Sequence, residues 1–341
     1  MSAVEYRVRL AGSEAAFGCA ADDTLLRAGQ RAGLGFPYEC NVGSCGTCRF
    51  ELVEGDVQVQ WADAPGLTEN DRKRKRYLGC QTRPLADCTI KLRLGQRYAP
   101  PHRPQRLQAV LERSRPLTHD MREFRFVLDA PHSFEPGQYA LAYLPGVTGA
   151  RAYSMSNTPA DGKTWEFVVR RTPEGAGTRA LFDDLTVGQS IAIDGPYGMA
   201  WLRREAPRDI LCLAGGSGLA PMLSIARGAM AEPQLAGRKL HFLYGGRTPA
   251  DVCGHDLLQE LPGWGERLSY HPAISPLPGG SSEGWTGDVG YLHEVALERF
   301  AARLPEFEIY FAGPPAMAMA VQRMLVDAKV PSEQVHFDQF Y

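Results

Sequence analysis

A chain of 341 residues exceeds what one hydrophobic core organises and calls for two or three domains. With 44% apolar residues, 22% charged residues and a net charge of −2, it is a globular protein with no overall basicity to attract nucleic acid or an anionic membrane. No apolar run of about 18 residues is present, and MSAVEYRVRLAGSEAAFG lacks a signal-peptide core, so a cytoplasmic monomer with reduced cysteines and no membrane span is expected.

In chain order, ADDTLLRAGQRAGL (21–34) reads as a helix. LTENDRKRKRYLGC (67–80) reads as a second, with Thr68 as N-cap and Asp71 three positions on. Its basic run, Arg72, Lys73, Arg74, Lys75 and Arg76, is either a solvated helix face or a docking patch for an acidic partner. QRYAPPHRPQR (96–106) has three prolines and no apolar periodicity, the composition of a semi-rigid linker. Short alternating runs such as EFRFVLD and WEFVVRR, separated by Gly/Pro turns, then predict an antiparallel barrel or sandwich. Beyond Pro207 the strand-like runs DILCLAGG, KLHFLYGG and EIYFAGPP alternate with helical stretches, one starting near Pro221 and one in PPAMAMAVQRMLVDAKV, which predicts a parallel α/β sheet. The expected division is a first domain over 1–96, a linker over 97–106, an all-β domain over 107–205 and an α/β domain over 206–341.

Three of the eight cysteines crowd into YECNVGSCGTC (38–48), spaced C-x4-C-x2-C. Thiolates converging on one inorganic centre need a backbone that doubles back, and Gly43 and Gly46 are free to take positive φ. Ser44 and Thr47 are small enough to let backbone N–H groups face the sulfurs. Cys80, in YLGCQ, is the natural fourth ligand. Cys40, Cys45, Cys48 and Cys80 then form the plant-type [2Fe–2S] spacing. A zinc site would more usually show two C-x2-C pairs, and a core would not be so rich in glycine and polar residues. Cys19, Cys88, Cys212 and Cys253 lie outside the pattern and read as buried thiols.

RAYSMSN (151–157) is a weak signal alone, compatible with an exposed arginine and a core tyrosine in a sandwich. Ordered between EPGQY and the later GAGT and DGPYG, it resembles the ferredoxin–NADP reductase superfamily, whose barrel binds FAD. The resemblance implies that Arg151 pairs with the pyrophosphate, Tyr153 packs on the isoalloxazine and Ser154 donates near flavin N5. It implies that Gly175, Gly177 and Thr178 close on the pyrophosphate at a helix start.

LCLAGGSGLAPM (211–222) is a strand, a glycine turn and a helix start; Gly215, Gly216 and Gly218 allow a diphosphate close to the backbone. It is neither G-x-G-x-x-G nor a hydrolase elbow, since Leu219 stands where G-x-S-x-G needs its last glycine. In the superfamily it resembles the nicotinamide-dinucleotide turn, with Pro221 just inside the helix. YFAGPPAM resembles the signature beside the nicotinamide, retaining Gly313 and Pro314 but with Ala312 in place of the usual cysteine. In YGGRTPAD, Arg247 could meet a 2′-phosphate, whereas Asp251 could repel one or bond a free 2′-hydroxyl; both could equally be plain surface charges. DVCGHDLLQE adds no lysine or arginine, so NADH is the expected coenzyme. The terminal Phe340 and Tyr341 resemble an aromatic cover over the flavin, with Phe340 favoured.

FPYECNVGSCGTC, DAPGL, AGGSGLAPM and VPSEQVHFDQF make the chain similar to reductases of bacterial multicomponent oxygenases, and more narrowly to those of toluene-type aromatic monooxygenases. The resemblance implies a β-grasp [2Fe–2S] ferredoxin domain, an FAD-binding barrel and an NADH domain. It implies electrons passing from NADH to FAD to the cluster, then to a Rieske-type ferredoxin or a di-iron hydroxylase. The eight histidines show no ligand spacing, and no acid–base dyad is needed. A reductase for a ring-hydroxylating dioxygenase or phenol hydroxylase is the near alternative; a redox sensor without turnover is the alternative of another class.

Overall fold

The computed structural model describes residues 4–276 and 284–339. Residues 1–106 form one compact unit together with Asp194–Tyr197; residues 107–193 and 198–341 form the other.

The first unit contains β1 (Glu5–Leu10), β2 (Ala16–Ala20), α1 (Leu25–Arg31), β3 (Arg49–Glu54), β4 (Val57–Val59), α2 (Glu69–Lys73), β5 (Arg76–Leu78), β6 (Thr82–Pro84) and β7 (Cys88–Lys91). Five strands pair in the order β2-β1-β7-β3-β5, antiparallel except for β1 with β7, and β4 pairs with β6. Strand alternation turns Val8 and Leu10 inward, where Phe17, Leu25 and Leu26 join them. This is the expected β-grasp arrangement. Thr68 and Asp71 make the reciprocal capping box, but α2 stops after five residues. Lys75 takes a left-handed φ of 52°, which ends the helix and turns the chain into β5, so 67–80 is helix, strand and turn rather than one long helix.

The expected linker segment is partly ordered onto this unit: Gln96–Tyr98 is a short 3-10 turn whose Tyr98 carbonyl accepts from Gln30 Nε2 at 3.1 Å.

The barrel strands are β8 (Gln105–Pro116), β9 (Met121–Leu128), β10 (Tyr139–Tyr143), β11 (Arg151–Ser154), β12 (Thr164–Arg170) and β13 (Ser190–Tyr197), ordered β11-β10-β13-β8-β9-β12; the short helix α3 (Ala176–Arg179) lies in the chain between β12 and β13. A bridge from Met155 to Phe167 joins the two edges and closes the sheet on itself. Trp165, Phe124, Phe126 and Phe134 fill its interior.

The remainder is a parallel sheet built from β14 (Asp209–Gly215), β15 (Leu240–Gly246), β16 (Leu268–Ile274), β17 (Asp288–Val289), β18 (Phe307–Gly313) and β19 (Val335–Gln339), in the order β17-β16-β15-β14-β18-β19. Helices α4 (Leu219–Ala231), α5 (His255–Gln259), α6 (Leu292–Phe300) and α7 (Pro315–Asp327) alternate with the strands. Both sheet faces are buried: Ile210, Cys212 and Ala214 face one core, Leu211 and Leu213 the other. Within this second unit, Ser224 of α4 donates to the Asn157 carbonyl at 2.6 Å and accepts from the Gly137 amide at 3.2 Å. Arg227 donates to the Ser156 carbonyl at 2.8 Å, so α4 holds the end of the RAYSMSN segment. Among the described residues, no helix is long and apolar enough to cross a membrane.

Candidate cluster, flavin and nucleotide sites

The cysteine loop doubles back as its glycines permit. Gly43 and Gly46 have φ of 96° and 78°, and Asn41 joins them at 54°. A side chain at Gly46 would meet the Gly66 carbonyl oxygen at 2.6 Å, so the loop is closely packed as well as left-handed. The Cys45 amide points at Cys40 Sγ (3.4 Å) and the Thr47 amide at Cys45 Sγ (3.5 Å). Cys80 enters on the turn Gly79–Gln81, where the Gly79 amide donates to the Cys48 carbonyl at 2.9 Å and the Cys48 and Cys80 sulfurs lie 3.4 Å apart. A hydrogen bond from the Cys40 thiol holds Cys45 down to about 5; the same bond and burial push Cys40 up. Buried Arg27 donates to the side chain and carbonyl of Asn41. The hydrogen bond with Cys48 and then burial push the Cys80 thiol up, with the Arg27 charge opposing them. Four free thiols, amides aimed at sulfur and a buried guanidinium are a donor set that fits a thiolate-held iron–sulfur group. Of the remaining cysteines, Cys19, Cys88 and Cys212 are buried as expected. Cys253 is only half-buried, because its thiol lies at a polar edge, donating to Tyr244 Oη at 3.7 Å.

Arg151 and Tyr153 alternate onto one face of β11 and converge on Gly177. A Cβ there would lie 3.0 Å from Arg151 Cγ and 3.1 Å from Tyr153 Oη, so only glycine leaves that surface open. Burial pushes the Tyr153 hydroxyl up to about 12, keeping it neutral. Thr178 donates to the Thr172 and Gly175 carbonyls, fixing the loop before α3. The structure therefore brings Arg151, Tyr153, Gly175, Gly177 and Thr178 together. Alternation turns buried Ser154 to the opposite face of the strand. Phe340 and Tyr341 lie outside the described residues.

At the glycine turn, a Cβ on Gly218 would sit 1.9 Å from the Ala312 carbonyl oxygen, and one on Gly215 or Gly313 would strike Met317. Gly216 has a φ of 55° and faces the Arg170 guanidinium. Pro221 is the third residue of α4, where its missing N–H leaves no helical bond unmade. Gly313 and Pro314 lead directly into α7, as the turn reading requires.

Asp251 is not a plain surface charge. One carboxylate oxygen accepts from the Thr248 amide and hydroxyl (2.9 and 2.8 Å), and the other accepts from Arg247 at 3.3 Å. Burial opposes ionisation, but the Thr248 bonds and Arg247 outweigh it and hold the carboxyl below its usual range. Asp120 and Arg170, which no local motif signalled, complete the group: Arg170 Nε is 2.6 Å from Asp120 and Arg170 Nη2 is 3.8 Å from Asp251. His119, Asp120 and Asp251 bring potential ligand atoms within 4.8 Å of one another, but the two arginines already pair with both carboxylates. The group is an ion-pair network beside the glycine turn.

Known protein families match all three regions. Residues 8–85 match a 2Fe-2S iron-sulfur cluster binding domain, residues 108–201 an oxidoreductase FAD-binding domain and residues 212–323 an oxidoreductase NAD-binding domain. A ferredoxin–NAD(P)(+) reductase from Metapseudomonas resinovorans is 38% identical, the match covering 98% of this chain and 100% of the relative. The chain belongs to the ferredoxin–NAD(P) reductase family. The xylene/toluene monooxygenase electron transfer component of Pseudomonas putida is 32% identical to this reductase over 99% of the chain and 94% of its own length. The solved ferredoxin reductase in carbazole 1,9a-dioxygenase superposes with a TM-score of 0.91 at 35% identity, covering both chains completely. The reductase is thus an iron–sulfur flavoprotein oxidoreductase whose cofactors are a [2Fe–2S] cluster, FAD and NAD.

Proposed function

We propose that the reductase takes electrons from NADH and delivers them to a Rieske-type ferredoxin, or directly to a di-iron hydroxylase, in an aromatic monooxygenase system, working in the cytoplasm as a monomer. One observation carries this reading: the four-thiol site, the Arg151–Tyr153–Gly177 surface and the glycine turn occur in one chain, alike over 99% of its length to a xylene/toluene monooxygenase electron transfer component. When bound, FAD would supply the two-electron hydride chemistry and the cluster single-electron transfer.

The chain's residues supply position and charge. Cys40, Cys45, Cys48 and Cys80 would hold the cluster, and the Cys45 and Thr47 amides, aimed at the sulfurs of Cys40 and Cys45, would offset its negative charge. Arg151, Gly175, Gly177 and Thr178 would hold the flavin pyrophosphate, with Tyr153 orienting the ring and Phe340 as its cover; Ser154, on the opposite face of β11, would reach flavin N5 only at the ring's edge. Gly215, Gly216, Gly218 and Pro221 admit the nicotinamide diphosphate, Gly313 and Pro314 border the nicotinamide, and Asp251 disfavours a 2′-phosphate. A dioxygenase system is the second reading, favoured by the whole-chain likeness to the reductase in carbazole 1,9a-dioxygenase. The test presents the holo-reductase with purified acceptors from both kinds of system and compares NADH with NADPH. Turnover with the monooxygenase acceptor alone supports the main reading; turnover confined to the dioxygenase acceptor selects the second, and failure with every protein acceptor rejects both.

A further inference from the structure

We infer that the basic segment after α2 is the docking surface for the electron acceptor, and that the acceptor meets it with an acidic face. This rests on the proposed function and adds where the acceptor binds and by what chemistry. An electron would leave a thiolate-held cluster by tunnelling, so its acceptor must press against the protein surface near the thiolate loop. The chain after β4 forms part of that surface. Trp61 packs its ring over Gly43, 3.1 Å from where a Cβ would stand, yet remains 43% exposed. The Gly66 amide donates to the Gly43 carbonyl at 3.0 Å, binding the same segment to the cysteine loop. Arg72 donates twice to the Ala62 carbonyl, at 3.0 and 3.3 Å, which ties the basic run to the Trp61 segment. On the far side, β5 carries the run directly into the turn that holds Cys80.

The exposed bases here outnumber the exposed acids. Asp71, the acid nearest the run, is buried and bonded to Thr68, Arg49 and Arg76. Among the described residues, Lys73, Arg74 and Lys75 have no ion-pair partner within 4.0 Å, and Arg72 to Lys75 are all exposed. Asp63 and Glu69 are the exposed acids of segment 61–76, against four exposed bases. A local positive patch on a chain of net charge −2 selects for a partner with a negative patch and steers its approach. An exposed tryptophan at its edge is the residue type that most often anchors an interface. Each encounter passes one electron from the reduced cluster to the acceptor, with no bond made or broken, so two encounters discharge the two electrons of one NADH.

The test follows NADH-driven reduction of an acidic Rieske-type ferredoxin, and separately of basic cytochrome c, by the full-length holo-reductase at increasing ionic strength. Wild type is compared with the Lys73→Glu/Arg74→Glu variant. We expect wild-type kcat/KM for the acidic ferredoxin to fall as salt rises. We expect the variant to lose about tenfold at low salt, to flatten that salt dependence and to gain rate with cytochrome c. Its NADH–ferricyanide rate and visible spectrum stay unchanged. Wild-type efficiency and salt dependence in the variant overturn the docking surface and leave the proposed function standing. A wild-type enzyme that turns over ferricyanide but reduces neither protein overturns the proposed function and this inference with it. If charge reversal perturbs folding, Lys73→Gln/Arg74→Gln provides the same comparison, with a smaller loss in the same direction expected and no loss overturning the inference.

Discussion

The sulfurs of Cys48 and Cys80 lie 3.4 Å apart across 32 positions of sequence, brought together where the Gly79 amide meets the Cys48 carbonyl. Cys80→Ser should therefore remove the fourth thiolate without disturbing the barrel. Iron and acid-labile sulfide fall to a small fraction of wild type and reduction of protein acceptors is lost, while NADH–ferricyanide turnover persists because hydride transfer needs only the flavin. Equal loss of both activities would refute this division of labour.

At Gly218, even a methyl group has nowhere to go, since it would overlap the backbone carbonyl of Ala312 at 1.9 Å. Gly218→Ala should destabilise the second unit by about 3 kcal/mol and raise the KM for NADH, because β14 and β18 must separate at the turn. A thermal melt with nicotinamide titration checks it; an unchanged melting temperature counts against the packing argument.

Asp251→Ala should relax coenzyme choice towards NADPH, freeing Arg247 to meet a 2′-phosphate, and should cost about 1 kcal/mol through loss of the Thr248 turn. The ratio of kcat/KM for NADH over NADPH is the measure. An unchanged ratio reduces Asp251 to a structural cap.

Burial, and then the nearby Arg299, push the imidazole of His271 down to about 4. The unfolded chain takes up its proton near pH 6.5, before the folded protein does. Stability from this residue is thus complete above about pH 6.5 and declines as pH falls towards about 4. His271→Gln should flatten that part of the melting temperature against pH profile; an unaltered slope places the acid sensitivity elsewhere.

Local pattern was most legible where function needs a particular residue within a few positions. Cys40, Cys45 and Cys48 fall on one tight loop, and the Thr68–Asp71 cap appears in the structure with both of its reciprocal bonds. Strand alternation in EFRFVLD and WEFVVRR likewise corresponds to β9 and β12. Helix length was less legible: the basic run promised a long helix, but Lys75 takes a left-handed turn to feed β5, and pairing with β3 outweighs helix propensity.

From the sequence alone came the order of the three modules, the three clustered cysteines and the glycine turn after β14, because each depends on residue type at short spacing. Only the folded chain decided that Asp120 and Arg170 stand beside Asp251, that Ser154 turns away from Tyr153's face and that Trp61 lies over the cysteine loop. Those relations join residues far apart in the chain or depend on strand register. They are set by which surfaces bury one another, a quantity no short stretch of sequence carries.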